Sequence, residues 1–214
     1  MTATSDERGF ETRAIHVGQE PDPVTGAVVP PISLSTTFAQ LGVARHRGWE
    51  YARSGNPTRA ALERCIASLE GARHAFAFAS GLAAEDAVLR QVPPGGGIAL
   101  GGDAYGGTFR LIDKVYGASG HPWVAVDLTD PAALDRDWPA GTKVVWAETP
   151  TNPAMAVVDI AAVAEVAHAH GAWLVVDNTF ASPYLQQPLS LGADVVVHSS
   201  TKYLGGHSDV VGGA

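Results

Sequence analysis

Hydrophobic residues in the later part of the chain fall into short unbroken runs rather than alternating with polar ones. The runs are Ile98–Leu100, Trp123–Val126, Val144–Ala147, Leu174–Val176 and Val195–Val197. Continuous apolar runs of this length predict strands covered on both faces. Between the third and fourth, Ile160, Val163, Ala164 and Ala167 recur at helical spacing, with Asp159 placed to cap the helix and Gly171 to stop it. Earlier, Asn56-Pro57 reads as an N-cap followed by a first-turn proline. Leu62, Ile66 and Leu69 then share a face, and Gly71 ends that helix. His74–Ala79 predicts a short strand, and Ser80-Gly81 opens the next helix. The alternation predicts repeated βαβ units: an α/β fold with a mostly parallel sheet and helices on both faces. Residues 1–58, with PDP and VVPPIS stretches, show little periodicity and predict an arm that packs on something else. Residues 59–214 predict the domain proper.

Composition narrows the partners. The chain has 214 residues and a formal net charge of -8, and its isoelectric point is near 5.4. Such a balance offers no electrostatic footprint for nucleic acid or an anionic membrane. A single cysteine, Cys65, rules out an intramolecular disulfide and points to a reducing compartment. The polar opening MTATSDERGF has no apolar core of a leader, and no apolar run reaches bilayer length. These features predict a cytoplasmic protein. The only lysines are Lys114, Lys143 and Lys202, so chemistry that demands a primary amine has three candidates.

In open α/β sheets, ligands bind beyond the carboxyl ends of the strands. Four segments put glycine or polar residues there: Ser80-Gly81-Leu82, Glu148 to Pro153, Asp177-Asn178-Thr179 and Ser199-Ser200-Thr201-Lys202. Free amides at the Gly81-Leu82 helix start suit a phosphate, with the hydroxyls of Ser199 and Thr201 as further donors. Taken singly, Ser-Gly also reads as a plain helix cap and the two hydroxyls as a polar loop. Asp177 ends an apolar strand, where a carboxylate needs a cation or donors, and a pyridinium nitrogen is such a partner. It reads equally as a turn cap. Lys202 follows a buried strand, as a Schiff-base lysine would, or as a surface lysine would. Tyr105, in a glycine-flanked loop, either stacks on a flat ring or belongs to the core. Together these are the parts of one cofactor site. His168 and His170 lie two apart on a helix and face different ways, so no metal site is expected from them. Cys65 reads as core, and His207 as structural.

The segments EYARSGNPTRAALE, FASGLAA, DAYGGTFRLIDKV, ETPTNP, VVDNTFASP and ADVVVHSSTKYLGGHSDVVGGA resemble the transsulfuration, or Cys/Met-metabolism, family of pyridoxal 5'-phosphate (PLP) enzymes. The likeness runs from Thr12 to Ala214 and is nearest to bacterial cystathionine γ-synthases and γ-lyases. It implies the large domain of an aspartate aminotransferase-like PLP-dependent transferase. It also implies γ-replacement or γ-elimination on a homoserine ester or cystathionine. Related activities are methionine γ-lyase and O-acylhomoserine sulfhydrylase, and a cofactor-binding fragment without turnover is a further alternative.

By resemblance, Lys202 carries the cofactor, Asp177 pairs with its ring nitrogen, and Tyr105 stacks on the ring. Gly81, Leu82, Ser199 and Thr201 hold the phosphate, Asn152 faces the phenolic oxygen, and Thr179 lies beneath the ring. Tyr51 and Arg53 reach the phosphate site of a neighbouring subunit in a dimer or dimer of dimers. The family usually carries an acidic residue at Gly102. It also continues past DVVGGA into a smaller domain that holds an arginine for the substrate carboxylate, so the chain is expected to lack that domain.

Overall fold

A computed structural model describes residues 8–214. The opening stretch considered for a leader lies, up to residue 7, outside the described residues. The chain forms two compact units, Met1–Ala77 and Phe78–Ala214. The first holds the segment expected as an arm together with the helix that follows it.

In the first unit, helix α1 (Phe10–His16) interrupts the stretch expected to be irregular. It packs on α2 (Pro57–Glu70), and the Arg13 guanidinium donates to the Ser68 carbonyl. The α2 boundaries follow the sequence signals. Asn56 Oδ1 accepts the Thr58 and Arg59 N–H groups, Pro57 opens the helix, and Gly71 closes it with a left-handed φ of 68°. Of the expected apolar face, Ile66 and Leu69 are buried but Leu62 is exposed. Cys65 is half-buried, its Sγ 3.8 Å from the Ala14 carbonyl. Gly18, at φ 78°, permits the close approach of chain and helix, since a Cβ there would stand 2.2 Å from the Ala61 carbonyl oxygen.

The second unit is the predicted α/β body. Its helices are α3 (Gly81–Leu89), α4 (Gly106–Leu111), α5 (Pro131–Arg136), α6 (Ile160–Ala169) and α7 (Ser182–Leu185). One wide turn, Ile112–Gly117, extends α4. The strands β1 (Gly97–Gly101), β2 (Trp123–Val126), β3 (Thr142–Glu148), β4 (Trp173–Asp177) and β5 (Val195–Val197) pair in parallel in the order β2-β1-β3-β4-β5. Alternate side chains feed two cores. Ala99, Val145, Ala147, Leu174 and Val176 meet Ile160, Val163, Ala164 and Ala167 on one face. Ile98, Leu100, Val144, Trp146, Val175 and Val197 meet Ala84, Leu89, Ile112 and Tyr116 on the other. Two-sided cover explains the unbroken runs in the sequence.

Two expectations need correction. Trp123–Val126 and Val195–Val197 are strands, but as the two edge strands, each with one neighbour, they are partly exposed rather than buried on both faces. His74–Ala79 is not a strand. Only Phe78 pairs there, in an antiparallel bridge to Gly213, because the segment lies outside the sheet and has no strand alongside it. Among the described residues, no helix is long and apolar enough to cross a membrane.

Candidate active site

The chain runs from β1 outward to β2 and then returns to β3 on the other side of β1. The crevice beyond the carboxyl ends of β1 and β3 is therefore the switch point of the sheet, the place where such folds take ligands. Four of the strand ends supply the candidate residues.

Asp177 ends β4 and is only 7% exposed. Burial pushes its carboxyl above the ordinary value, opposed by bonds from Thr179 and by the nearby His198. The Thr179 N–H donates to Asp177 Oδ1 at 2.9 Å, and the Thr179 hydroxyl accepts the Ser199 N–H at 2.8 Å. Asp177, Thr179 and Ser199 are thus one connected set across β4 and β5. On the other flank, the Asn178 and Gln186 side chains bond each other, and Gln186 also donates to the Thr149 carbonyl.

The start of α3 closes on the same place. Ser80 caps the helix by accepting the Ala83 N–H at 3.1 Å. A Cβ on Gly81 would stand 2.7 Å from Ser199 Cβ, and one on Gly213 would stand 2.1 Å from the Ser80 carbonyl oxygen. Both glycines are needed for three backbone segments to meet. Gly81 and Ser199 are therefore brought together as expected, with Leu82 exposed beside them. The Thr201 hydroxyl is engaged with the backbone of Gly212, accepting its N–H at 3.1 Å and donating to its carbonyl at 3.2 Å.

Lys202 lies one residue further on, exposed, with its N–H donating to the Ser199 carbonyl. It lines a cavity of about 640 Å³ with Phe180, Tyr203, Asp209 and Val211 among its walls. Tyr105 precedes α4 and is 46% exposed. Its ring folds over Gly107, where a Cβ would meet the ring at 2.3 Å. Asn152 follows β3 in a loop tied to the β1 loop by the Ala154 N–H donating to Asp103 Oδ2. Tyr51 and Arg53 belong to the first unit, where the Arg53 guanidinium sits 4.8 Å from the Tyr51 ring centroid. His168 bonds Asp194 and His170 bonds Asp135, each on a separate aspartate. Exposed His207 faces its own turn, at the Gly205 carbonyl.

Two buried carboxyls near Asp177 received no individual role from the sequence. Glu148 ends β3 in register with Asp177, and burial pushes its pKa up to about 7. Glu85, on α3, is 3% exposed and raised to about 8, again chiefly by burial. Its Oε2 has no hydrogen-bond partner. The signal for Glu148 was present: it ends an apolar run in the manner of Asp177.

The donor set fits PLP. A buried carboxylate suits a ring nitrogen that carries a proton, helix-start amides and Ser199 suit a phosphate, and an accessible amine suits an aldehyde. Burial favours the protonated form of Asp177, Glu148 and Glu85 alike, and a cationic group bound among them would draw their protons off.

The comparisons with known proteins agree. The profile of the Cys/Met metabolism PLP-dependent enzymes matches residues 11–214, and the chain belongs to that family. It is 52% identical over 206 residues to a probable cystathionine gamma-synthase of Herpetosiphon aurantiacus, covering 96% of this chain and 65% of that protein. It is 48% identical over 215 residues to a cystathionine beta-lyase of Coxiella burnetii, covering 100% of this chain and 56% of that one. The solved cystathionine gamma-lyase of Lactobacillus plantarum, complexed with L-serine, superposes with a TM-score of 0.92 at 50% identity, covering 96% of this chain and 54% of that one. The chain thus spans between half and two thirds of the length of these relatives.

Proposed function

We propose that this chain is the cofactor-holding part of an enzyme that performs γ-replacement or γ-elimination on a homoserine ester or cystathionine. The observation that carries the reading is the meeting of Asp177, Thr179 and Ser199 at strand ends with Gly81 at the start of α3, one turn from Lys202. In this reading residues 1–58 are an arm and 59–214 the cofactor domain, in a cytoplasmic dimer of dimers. Tyr51 and Arg53 complete the phosphate site of a neighbouring subunit.

When bound, PLP supplies an electron sink for the charge left at the substrate Cα. The Asp177 carboxylate keeps the ring nitrogen protonated, and burial makes that charge pairing strong. The Gly81 and Leu82 amides and Ser199 orient the phosphate, joined by Thr201 once its hydroxyl turns from Gly212. Tyr105 and Thr179 sandwich the ring, and Asn152 faces the phenolic oxygen. Lys202 Nζ takes the Cα proton; in replacement protons return to Cβ and Cα, and in elimination one is delivered toward Cγ. Loss of a second proton at Cβ expels the γ-substituent, and a cysteine thiol takes its place. The balance is O-succinylhomoserine plus cysteine giving cystathionine plus succinate. A β-elimination reading is favoured by the names of the Coxiella relative and of a Lactococcus lactis cystathionine beta-lyase, and product identity separates the two: cystathionine yields 2-oxobutyrate by γ-elimination and pyruvate by β-elimination.

Borohydride reduction followed by peptide mapping tests the assignment and is expected to label Lys202. Labelling of Lys114 or Lys143 instead would overturn it. Assays with cystathionine, with O-succinylhomoserine plus cysteine, and with methionine then fix the substrate.

A further inference from the structure

Glu148 touches more of the site than any role given above accounts for. Its Oε2 accepts the Tyr105 backbone N–H at 2.6 Å, and the Asn152 N–H faces it as well. Its register partner across the sheet is Asp177. One carboxyl therefore joins the loop after β1 to the loop after β3, beside the end of β4.

Tyr105 needs such a partner. It stands at the N-cap position of α4, and no side chain caps that helix. The leading N–H groups of a helix have no acceptor within it and must find one outside. A carboxylate is a strong acceptor, and a bond to it is short and directional. The Tyr105 ring is fixed from its other side by Gly107, over which it lies in contact. Backbone and ring are thus held by different residues, and only the backbone hold reaches across the sheet. Glu148 is 7% exposed, so little water competes for its oxygens.

We propose that Glu148 is a positioning residue, gripping the Tyr105 N–H so that the aromatic ring is presented to the cofactor in one orientation. This deepens the proposed function and rests on the assignment of Tyr105 as the stacking residue. The carboxyl does not touch the reacting atoms. It determines how sharply the ring is placed, and misplacement of a positioning group costs rate more than binding.

The test compares the unsubstituted holoenzyme with E148A and E148Q. Three readouts serve: visible circular dichroism of the bound cofactor, hydrogen exchange at the Tyr105 amide, and the kcat–KM split. E148A is expected to speed exchange at Tyr105 at least ~10-fold, to lose about half or more of the visible dichroic band, and to lower kcat roughly 10-fold with KM changed less than ~2-fold. E148Q keeps an acceptor oxygen and is expected to retain most of all three. The proposal is overturned if E148A matches the unsubstituted protein, or if E148Q is as impaired as E148A. Should E148A not fold, exchange in the unsubstituted protein decides, since a Tyr105 amide exchanging at the rate of an unbonded amide overturns the proposal. An unsubstituted protein that takes up no PLP would instead defeat the function proposed above, and the exchange readout would still judge Glu148.

Discussion

Asp177, Glu148 and Glu85 are three buried carboxyls within electrostatic reach of one another, and burial is the first cause of the upward shift in each. The consequence for stability has a definite sign. Glu148 and Glu85 hold their protons in the folded, cofactor-free chain up to about pH 7 and 8, while the unfolded chain releases them near 4.5. Between those values the folded state binds more protons, so its stability falls as pH rises and levels off above about pH 8. Urea unfolding of the stripped protein is expected to show lower stability at pH 8.5 than at pH 5, by several kcal/mol, with E85Q reducing the difference. A stability that rises over this interval would refute the burial argument. A second expectation concerns Asp177 alone. D177N removes the charge proposed to pair with the ring nitrogen while keeping the size of the side chain. PLP affinity, read by absorbance titration, is expected to fall at least ~10-fold, the equivalent of ~1.4 kcal/mol.

At the level of elements, the joints are where single changes act. G81A drives a Cβ against Ser199 and forces α3 away from the β5 loop. Overpacking of this kind costs about 1–3 kcal/mol, and phosphate-dependent PLP binding is expected to drop with it, as a comparison of PLP with pyridoxal would reveal. N56A removes the acceptor for two N–H groups at the start of α2, and thermal unfolding is expected to register a loss of about 1 kcal/mol. Most of these elements were legible beforehand. The five runs became five strands, and the three central ones read most plainly because cover on both faces leaves no polar alternation to confuse the pattern. Helices α2, α3 and α6 began where a capping side chain announced them. What escaped detection depended on tertiary surroundings. His74–Ala79 has strand-like residues but no neighbouring strand, Trp123–Val126 turned out to be an edge, and the seven residues of α1 are stabilised largely by packing on α2. At the site, Lys202, Asp177 and Tyr105 were marked by motif. Glu148 was invisible as a ligand of Tyr105, because that contact joins residues 43 apart in sequence.

For the whole molecule, the open question is how the first unit serves the second. The proposed role of Tyr51 and Arg53 in a neighbouring subunit predicts complementation. A K202A protein and an R53A protein, each inactive alone, are expected to regain up to about a quarter of normal activity when their subunits are mixed and reassociated, since a fraction of the sites then has both residues intact. Activity that stays absent in mixed oligomers would mean that both residues act within one subunit.

The antiparallel pairing of Phe78 with Gly213 has a bearing on how the protein is made. Ala214 is held in the same way, exchanging hydrogen bonds with His198 in both directions, and Gly213 closes against Ser80 at the start of α3. The cradle proposed above for a phosphate is therefore assembled from segments far apart in the chain, Ser80 and Gly81 with Gly213. A chain emerging from the ribosome can form its first helices and strands in order, but the cradle has to wait until Gly213 has cleared the exit tunnel. In the proposed reading the cofactor cannot be held before Gly213 has been made, so a stalled nascent chain ending short of Gly212 is expected to emerge without it.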